Sequence, residues 1–152
     1  MDKKKEYIRD GRAPIPESES VSRVMSANKG KDTNPELMLR KALYRKGLSG
    51  YRLHWKKAPG RPDICYPGNK LAIFVNGCFW HRCPHCNPPM PKTNVAFWED
   101  KFSKNVERDR RKSSKLEAIG WVVLVFWECQ IKNDLDTCVE KASSTIQGFD
   151  AK

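Results

Sequence analysis

The first regular pattern begins at Asn34. Leu39, Ala42 and Leu43 recur at three- and four-residue spacing, which predicts an amphipathic helix. Asn34 reads as its N-cap, Pro35 as its first residue and Gly47 as its stop, with Glu36 at the positive end of the dipole. Residues 51–55 alternate as a strand does. Residues 63–66 and 71–75 flank Pro67-Gly68-Asn69-Lys70, which predicts a hairpin with Gly and Asn supplying the positive φ of the turn. Residues 95–119 predict a long helix whose inner face is Phe102, Val106, Ser113, Leu116 and Ile119, ended by Gly120. Residues 121–127 form an unbroken apolar run, a strand buried on both faces if it lies centrally. A last helix is expected over 134–146. Residues 77–91 are too rich in Cys and Pro for regular structure and read as a long loop. The order α-β-β-β-α-β-α predicts an α/β domain, a mixed sheet flanked by helices on both sides.

Ahead of the first helix the pattern fades. Residues 1–20 are charged, contain Pro14 and Pro16 and show no period, so a loose N-terminal tail is expected. A short helical piece over 21–27 and a loop carrying Lys29 and Lys31 follow. Residues 21–152 are then one domain, a size that can bury a real core. Five Trp, six Phe and four Tyr exclude a wholly disordered chain, since they carry more apolar payload than such chains do. The longest apolar run is far below the ~20 residues that a membrane-spanning helix needs. No apolar segment follows the basic N-terminus, so a cytoplasmic address is expected.

Charge narrows the class. The net charge is +11, with +14 carried by residues 1–115 and −3 by residues 116–152. A field polarised in this way attracts polyanions, nucleic acid above all.

Side-chain chemistry narrows it further. Three of the six Cys, Cys78, Cys83 and Cys86, fall within nine residues. In a chain with no secretory signal, clustered Cys reads as a metal site before it reads as disulfide. Cys129, just after the apolar strand, would complete a closed tetrahedral Zn²⁺ site; His85 competes with Cys86 for its place. Cys65 and Cys138 read as packing residues. Asp63, after Gly60-Arg61-Pro62, stands at the entry of the hairpin, where a carboxylate can serve as first ligand to a catalytic Mg²⁺. No second acid stands on the returning strand, at Val75-Asn76-Gly77, so a metal there would take a backbone carbonyl and waters. His81 is a candidate general base or a zinc ligand. Phe79 and Trp80 either cap the core or insert between bases. Asn105-Val106-Glu107-Arg108-Asp109-Arg110-Arg111-Lys112 puts four cations in five residues, which either form a solvated face or clamp phosphates, while Asp109 could orient a neighbouring His or Arg.

Taken together, Pro59-Gly60-Arg61-Pro62-Asp63, residues 74–81, residues 105–111 and residues 120–129 resemble the very short patch repair DNA mismatch endonucleases. The likeness covers residues 21–131. It implies a fold like that of the type II restriction endonucleases, a structural zinc, and Mg²⁺-dependent nicking on the 5′ side of the T in T:G mismatches. Such mismatches arise when 5-methylcytosine deaminates, and the family typically accompanies a cytosine-5 DNA methyltransferase. The resemblance further implies that Asp63 and the Val75 carbonyl hold the metal and that His81 activates water. It assigns Glu36 to support of the site and pairs Asp109 with the catalytic His. It places Phe79, Trp80 and Trp98 in the duplex beside the mismatch. It assigns Cys78, Cys83, Cys86 and Cys129 to zinc, with His85 as the alternate. Asn76 departs from the pattern, because some members carry a second active-site His there. Asn105, Arg108, Arg110, Arg111, Lys29 and Lys31 are expected on double-stranded DNA, and nicking one strand needs only a monomer. Two rival classes remain at this stage: a zinc-stapled DNA-binding module without catalysis, and a restriction-type enzyme that cuts both strands.

Overall fold

The computed structural model describes residues 32–150. The expected tail, the short helical piece over 21–27, and Lys29 and Lys31 lie outside the described residues. Helix α1, Asn34–Arg45, starts one residue earlier than its pattern suggests. Thr33 is the N-cap, with its Oγ1 accepting from the Glu36 N–H at 3.5 Å, and Pro35 falls in the first turn. Its end is as expected. Gly47 takes φ +89°, its N–H donates to the Tyr44 carbonyl, and Leu48 N–H donates to Leu43, a Schellman arrangement.

Four strands follow in the order β1 (Arg52–Leu53), β2 (Ile64–Tyr66), β3 (Leu71–Asn76) and β4 (Val122–Trp127). The first three run antiparallel and β4 joins β3 in parallel. The hairpin is present, but its turn is a 3₁₀ segment, Pro67–Asn69, and the positive φ falls on Lys70 rather than on Gly68 or Asn69. The Lys70 N–H closing back on the Pro67 carbonyl sets that geometry. Strand β4 is an edge strand, so its apolar run is not buried on both sides. Val122 is exposed, Leu124 and Phe126 are buried in the main core, and Val123 and Val125 pack less completely on the other face.

Two short helices escaped the pattern: α2 (Cys78–His81) inside the expected loop, and α4 (Glu128–Asn133) directly after β4. Helix α3, Val95–Ala118, is one unbroken helix, and α5 is Leu135–Asp150. One face of the sheet packs against α1, α4 and α5 through Leu39, Leu43, Ile73, Phe126, Ile131 and Val139. The other face meets α3 through Ala72, Phe74 and Leu116. The inner stripe of α3 is Trp98, Phe102, Asn105 and Leu116; Val106 and Ile119 face outward. Asn105 turns inward because its Nδ2 donates to the Trp80 carbonyl at 3.0 Å, which rotates Val106 to the surface. Among the described residues no helix is long and apolar enough to cross a membrane.

The two apolar positions separate on stability. Leu39→Ala empties a fully buried site and should cost about 2–5 kcal/mol in urea unfolding. Val106→Ala, nearly half exposed, should stay within about 0.5 kcal/mol of the parent.

Candidate active site

Asp63 sits just before β2, opposite the end of β3. Its Oδ2 accepts the Val75 N–H at 2.7 Å, and its own carbonyl accepts the His54 N–H. Its Oδ1 stands 3.8 Å from His54 Nδ1, beyond hydrogen-bond reach. The side chain keeps 19% exposure, so one oxygen is fixed by the sheet while the carboxylate still meets solvent. Burial drives the Asp63 carboxyl above its ordinary range, against the Val75 N–H and the positive fields of His54, Lys112 and His81.

Helix α2 follows β3 after Gly77 and carries Cys78, Phe79, Trp80 and His81 in one turn. His81 Nδ1 lies 2.5 Å from Asp109 Oδ2 on α3. With Nδ1 engaged by a carboxylate, Nε2 is the ring nitrogen left to exchange a proton. The structure therefore brings the predicted acid and base to one end of the sheet and joins the base to the predicted orienting carboxylate. Asn76 is buried at the end of β3.

Two residues of this corner were not found in the sequence. His54 leaves β1 with φ +46°, a conformation that side chains other than glycine adopt only when held. Its Nε2 faces Asp32 Oδ1 at 3.3 Å and Glu36 Oε2 at 3.6 Å. Asp32 also pairs with Arg40 at 3.0 Å, and its N–H donates to Glu36 Oε2 at 2.8 Å. Glu36, nearly fully buried, is raised above the ordinary carboxylate range by burial and then by Asp63. His54 thus stands between Asp63 and the Glu36 group. The available signal was that His54 is the one His of three outside the Cys-rich loop.

The four sulfurs of Cys78, Cys83, Cys86 and Cys129 lie within 4.8 Å of one another. Cys83 and Cys129 Sγ are 3.7 Å apart. Sulfurs each ~2.3 Å from a common tetrahedral ion stand roughly 3.8 Å apart, so the spacing fits a four-thiolate metal site. The His85 ring is not in the group; its backbone N–H donates to Cys83 Sγ instead. At Cys83 burial is outweighed by the backbone N–H groups of Cys86 and His85, which hold that thiol below its ordinary range. Cys65 is buried on β2 and Cys138 on α5.

The aromatic residues divide. Phe79 and Trp80 are half-buried at the surface. Trp98 is only 4% exposed and lies beneath them, 5.4 Å from Phe79, 5.6 Å from Trp80 and stacked on Phe102. In the DNA-free chain it is the floor on which the outer two rings rest. Arg82 lies over the Phe102 ring at 4.4 Å, and its Nη2 donates to the Pro88 carbonyl. Asn105, expected on DNA, is 7% exposed here and donates its Nδ2 to the Trp80 carbonyl. Arg108, Arg110 and Arg111 are exposed on α3, with Arg110 forked onto Glu107 at 2.6 and 3.1 Å.

Comparison with known proteins places the chain among its relatives. Residues 15–87 match the family model "DNA mismatch endonuclease Vsr". The chain is 41% identical over 124 residues to the type II nicking enzyme V.NmeAIP of Neisseria meningitidis serogroup A, covering 82% of this chain and 87% of that one. It is 40% identical over 121 residues to the DNA mismatch endonuclease Vsr of Escherichia coli K12, covering 79% and 76%. A third relative, the nicking enzyme V.NaeI of Lentzea aerocolonigenes, is 37% identical over 146 residues, 92% of this chain and 87% of its own length. With identity at this level over most of its length, the chain belongs to the Vsr family of DNA mismatch endonucleases.

Proposed function

We propose that the chain nicks one strand of duplex DNA on the 5′ side of the T in a T:G mismatch, with Mg²⁺ at Asp63 and zinc on the four thiolates. The observation that carries this reading is the pairing of a sheet-fixed carboxylate, Asp63, with the His81–Asp109 couple at the same end of the sheet. One acid–base pair per chain suits cleavage of one strand, and a monomer suffices for it. A restriction-endonuclease-like fold, a cytoplasmic address and the company of a cytosine-5 methyltransferase belong to the same reading.

Each residue then has a task. Asp63 offers an oxygen that its sheet partner leaves open, and oxygen donors suit Mg²⁺, with the Val75 carbonyl as second ligand. When bound, that ion would polarise the phosphate and offset the negative charge that develops in the reaction. His81 takes the proton of the attacking water at Nε2, while Asp109 fixes its tautomer and stabilises the imidazolium. Glu36, Asp32 and His54 support Asp63 from behind. Phe79 and Trp80 enter the stack beside the mispair, where pairing is weakest and unstacking costs least. Arg108, Arg110 and Arg111 meet backbone phosphates, so affinity falls with salt.

A gel assay of T:G and matched duplexes tests the assignment. His81→Ala should slow nicking by about 10²–10⁴-fold, the usual range for a lost general base. Asp63→Ala should abolish it. Parental nicking by both variants would falsify the reading.

Zinc assignment has its own test. Metal analysis should find one zinc per chain, lost in Cys86→Ser with a lowered thermal midpoint and kept in His85→Ala. The reverse pattern would move the fourth ligand to His85.

Ionised Asp63 also burdens the fold. Its folded pKa lies above the unfolded value, so the stabilising protonated form is present below the usual carboxylate range and lost as pH rises through the folded pKa. Without Mg²⁺, Asp63→Asn should therefore raise the melting temperature of the zinc-loaded protein at neutral pH. The gain should shrink as pH falls toward about 4. A gain equal at both pH values would contradict the shift.

A further inference from the structure

The basic run on α3 reads as four equivalent cations, but the fold treats Lys112 differently from its neighbours. Arg108, Arg110 and Arg111 are exposed; Lys112 is half-buried. Its stem lies against Gly60 in the loop that leads to Asp63. A Cβ on Gly60, which has φ +77°, would come within 2.8 Å of Lys112 Cβ and Cγ. The loop therefore passes directly under this side chain. The Lys112 ammonium stands 6.0 Å from the centroid of the Phe74 ring. Phe74 and Asn76 alternate on β3 and share the face turned toward α3. Lys112 also follows Asp109, the partner of His81, by three residues on α3 and so lies one turn away on the same side.

Three cationic or potentially cationic groups act on Asp63: His54, Lys112 and His81. Two are already committed. His54 faces Asp32 and Glu36, and His81 is tied to Asp109. Among the described residues Lys112 makes no ion pair. It is thus a positive charge with no carboxylate partner among these residues, held beside the reacting corner by its stem. The end of β3 nearest that corner offers only the neutral amide of Asn76.

We propose that Lys112 is a further catalytic residue, whose ammonium contacts a non-bridging oxygen of the scissile phosphate and stabilises the charge that develops as water attacks. The proposal rests on the reading of Asp63 and His81 given above. A phosphoryl-transfer transition state spreads its charge over the equatorial oxygens. A lysine reaching the same phosphate adds to the charge supplied at Asp63, in a role that Asn76, having no charge, cannot take.

The test separates chemistry from grip. Lys112→Met keeps the stem over Gly60 and deletes the charge; Lys112→Arg keeps the charge. Single-turnover nicking of a T:G duplex is measured with Mg²⁺, and Kd for the same duplex with Ca²⁺ in its place. In Lys112→Met the nicking rate constant should fall by roughly 10²-fold, the scale on which a lost transition-state donor registers. Kd should rise by less than about threefold, as for a single phosphate contact. Lys112→Arg should recover at least tenfold of the rate, on the same roughly 10²-fold scale. A parental rate in Lys112→Met, or a loss confined to Kd, overturns the proposal while leaving Asp63 and His81 in place. A parent that nicks no T:G duplex, or an Asp63→Ala variant as active as the parent, overturns both.

Discussion

The parallel pairing of β3 with β4 is the constraint on which the site depends. Its register sets Asn76 beside Trp127, at the carboxyl ends of both strands. Cys78 and Cys129 each lie two residues past that pair, so the ladder delivers two thiols from distant parts of the chain to one place. Cys129 N–H donates to Cys78 Sγ at 3.4 Å, which shows how closely the two strand ends are held. Hydrogen bonds between backbones thus close a cluster that the Cys78–Cys86 segment alone leaves one thiol short. The same register starts α2 and α4 side by side, and α2 brings His81 within reach of α3.

The antiparallel half of the sheet does the complementary work. Ile64 pairs with Ile73, so Asp63 falls beside the amide of Val75. One hydrogen bond orients the acid without consuming its second oxygen. The cost is an electrostatic one, since Asp63 and Glu36 repel each other in a partly desolvated corner and both are raised above their ordinary range. His54, locked at positive φ, sits between them. A site of this kind stores repulsion that a bound cation relieves.

Much of this was legible in the sequence because the informative residues are near neighbours. Periodicity found α1, the hairpin and α3, and the spacing of Cys78, Cys83 and Cys86 pointed to metal without any knowledge of the fold. Asp63, His81 and Asp109 came from motifs. The failures have a common cause: contacts across long sequence separation leave no local trace. Asp32 and His54 meet across 22 residues. The true face of α3 is set by the hydrogen bond from Asn105 to Trp80, 25 residues away. Trp98 looked like Phe79 and Trp80, but only the fold shows which ring lies underneath. The edge position of β4 likewise depends on topology, which an apolar run cannot encode.

Helix α2 is four residues long and serves three ends: Cys78 in the thiol cluster, Phe79 and Trp80 as the half-buried outer rings, His81 beside Asp109. A single turn has no cooperative stability of its own, so the cluster at its start and the ring floor beneath it are what keep it wound. Metal loading of this cluster, as proposed above, would therefore double as a quality checkpoint. On the proposed function, a copy that lacks the metal would lose the placement of Phe79, Trp80 and His81 together. For an activity that breaks the DNA backbone, that failure would be a safe one, since the damaged molecule would go silent.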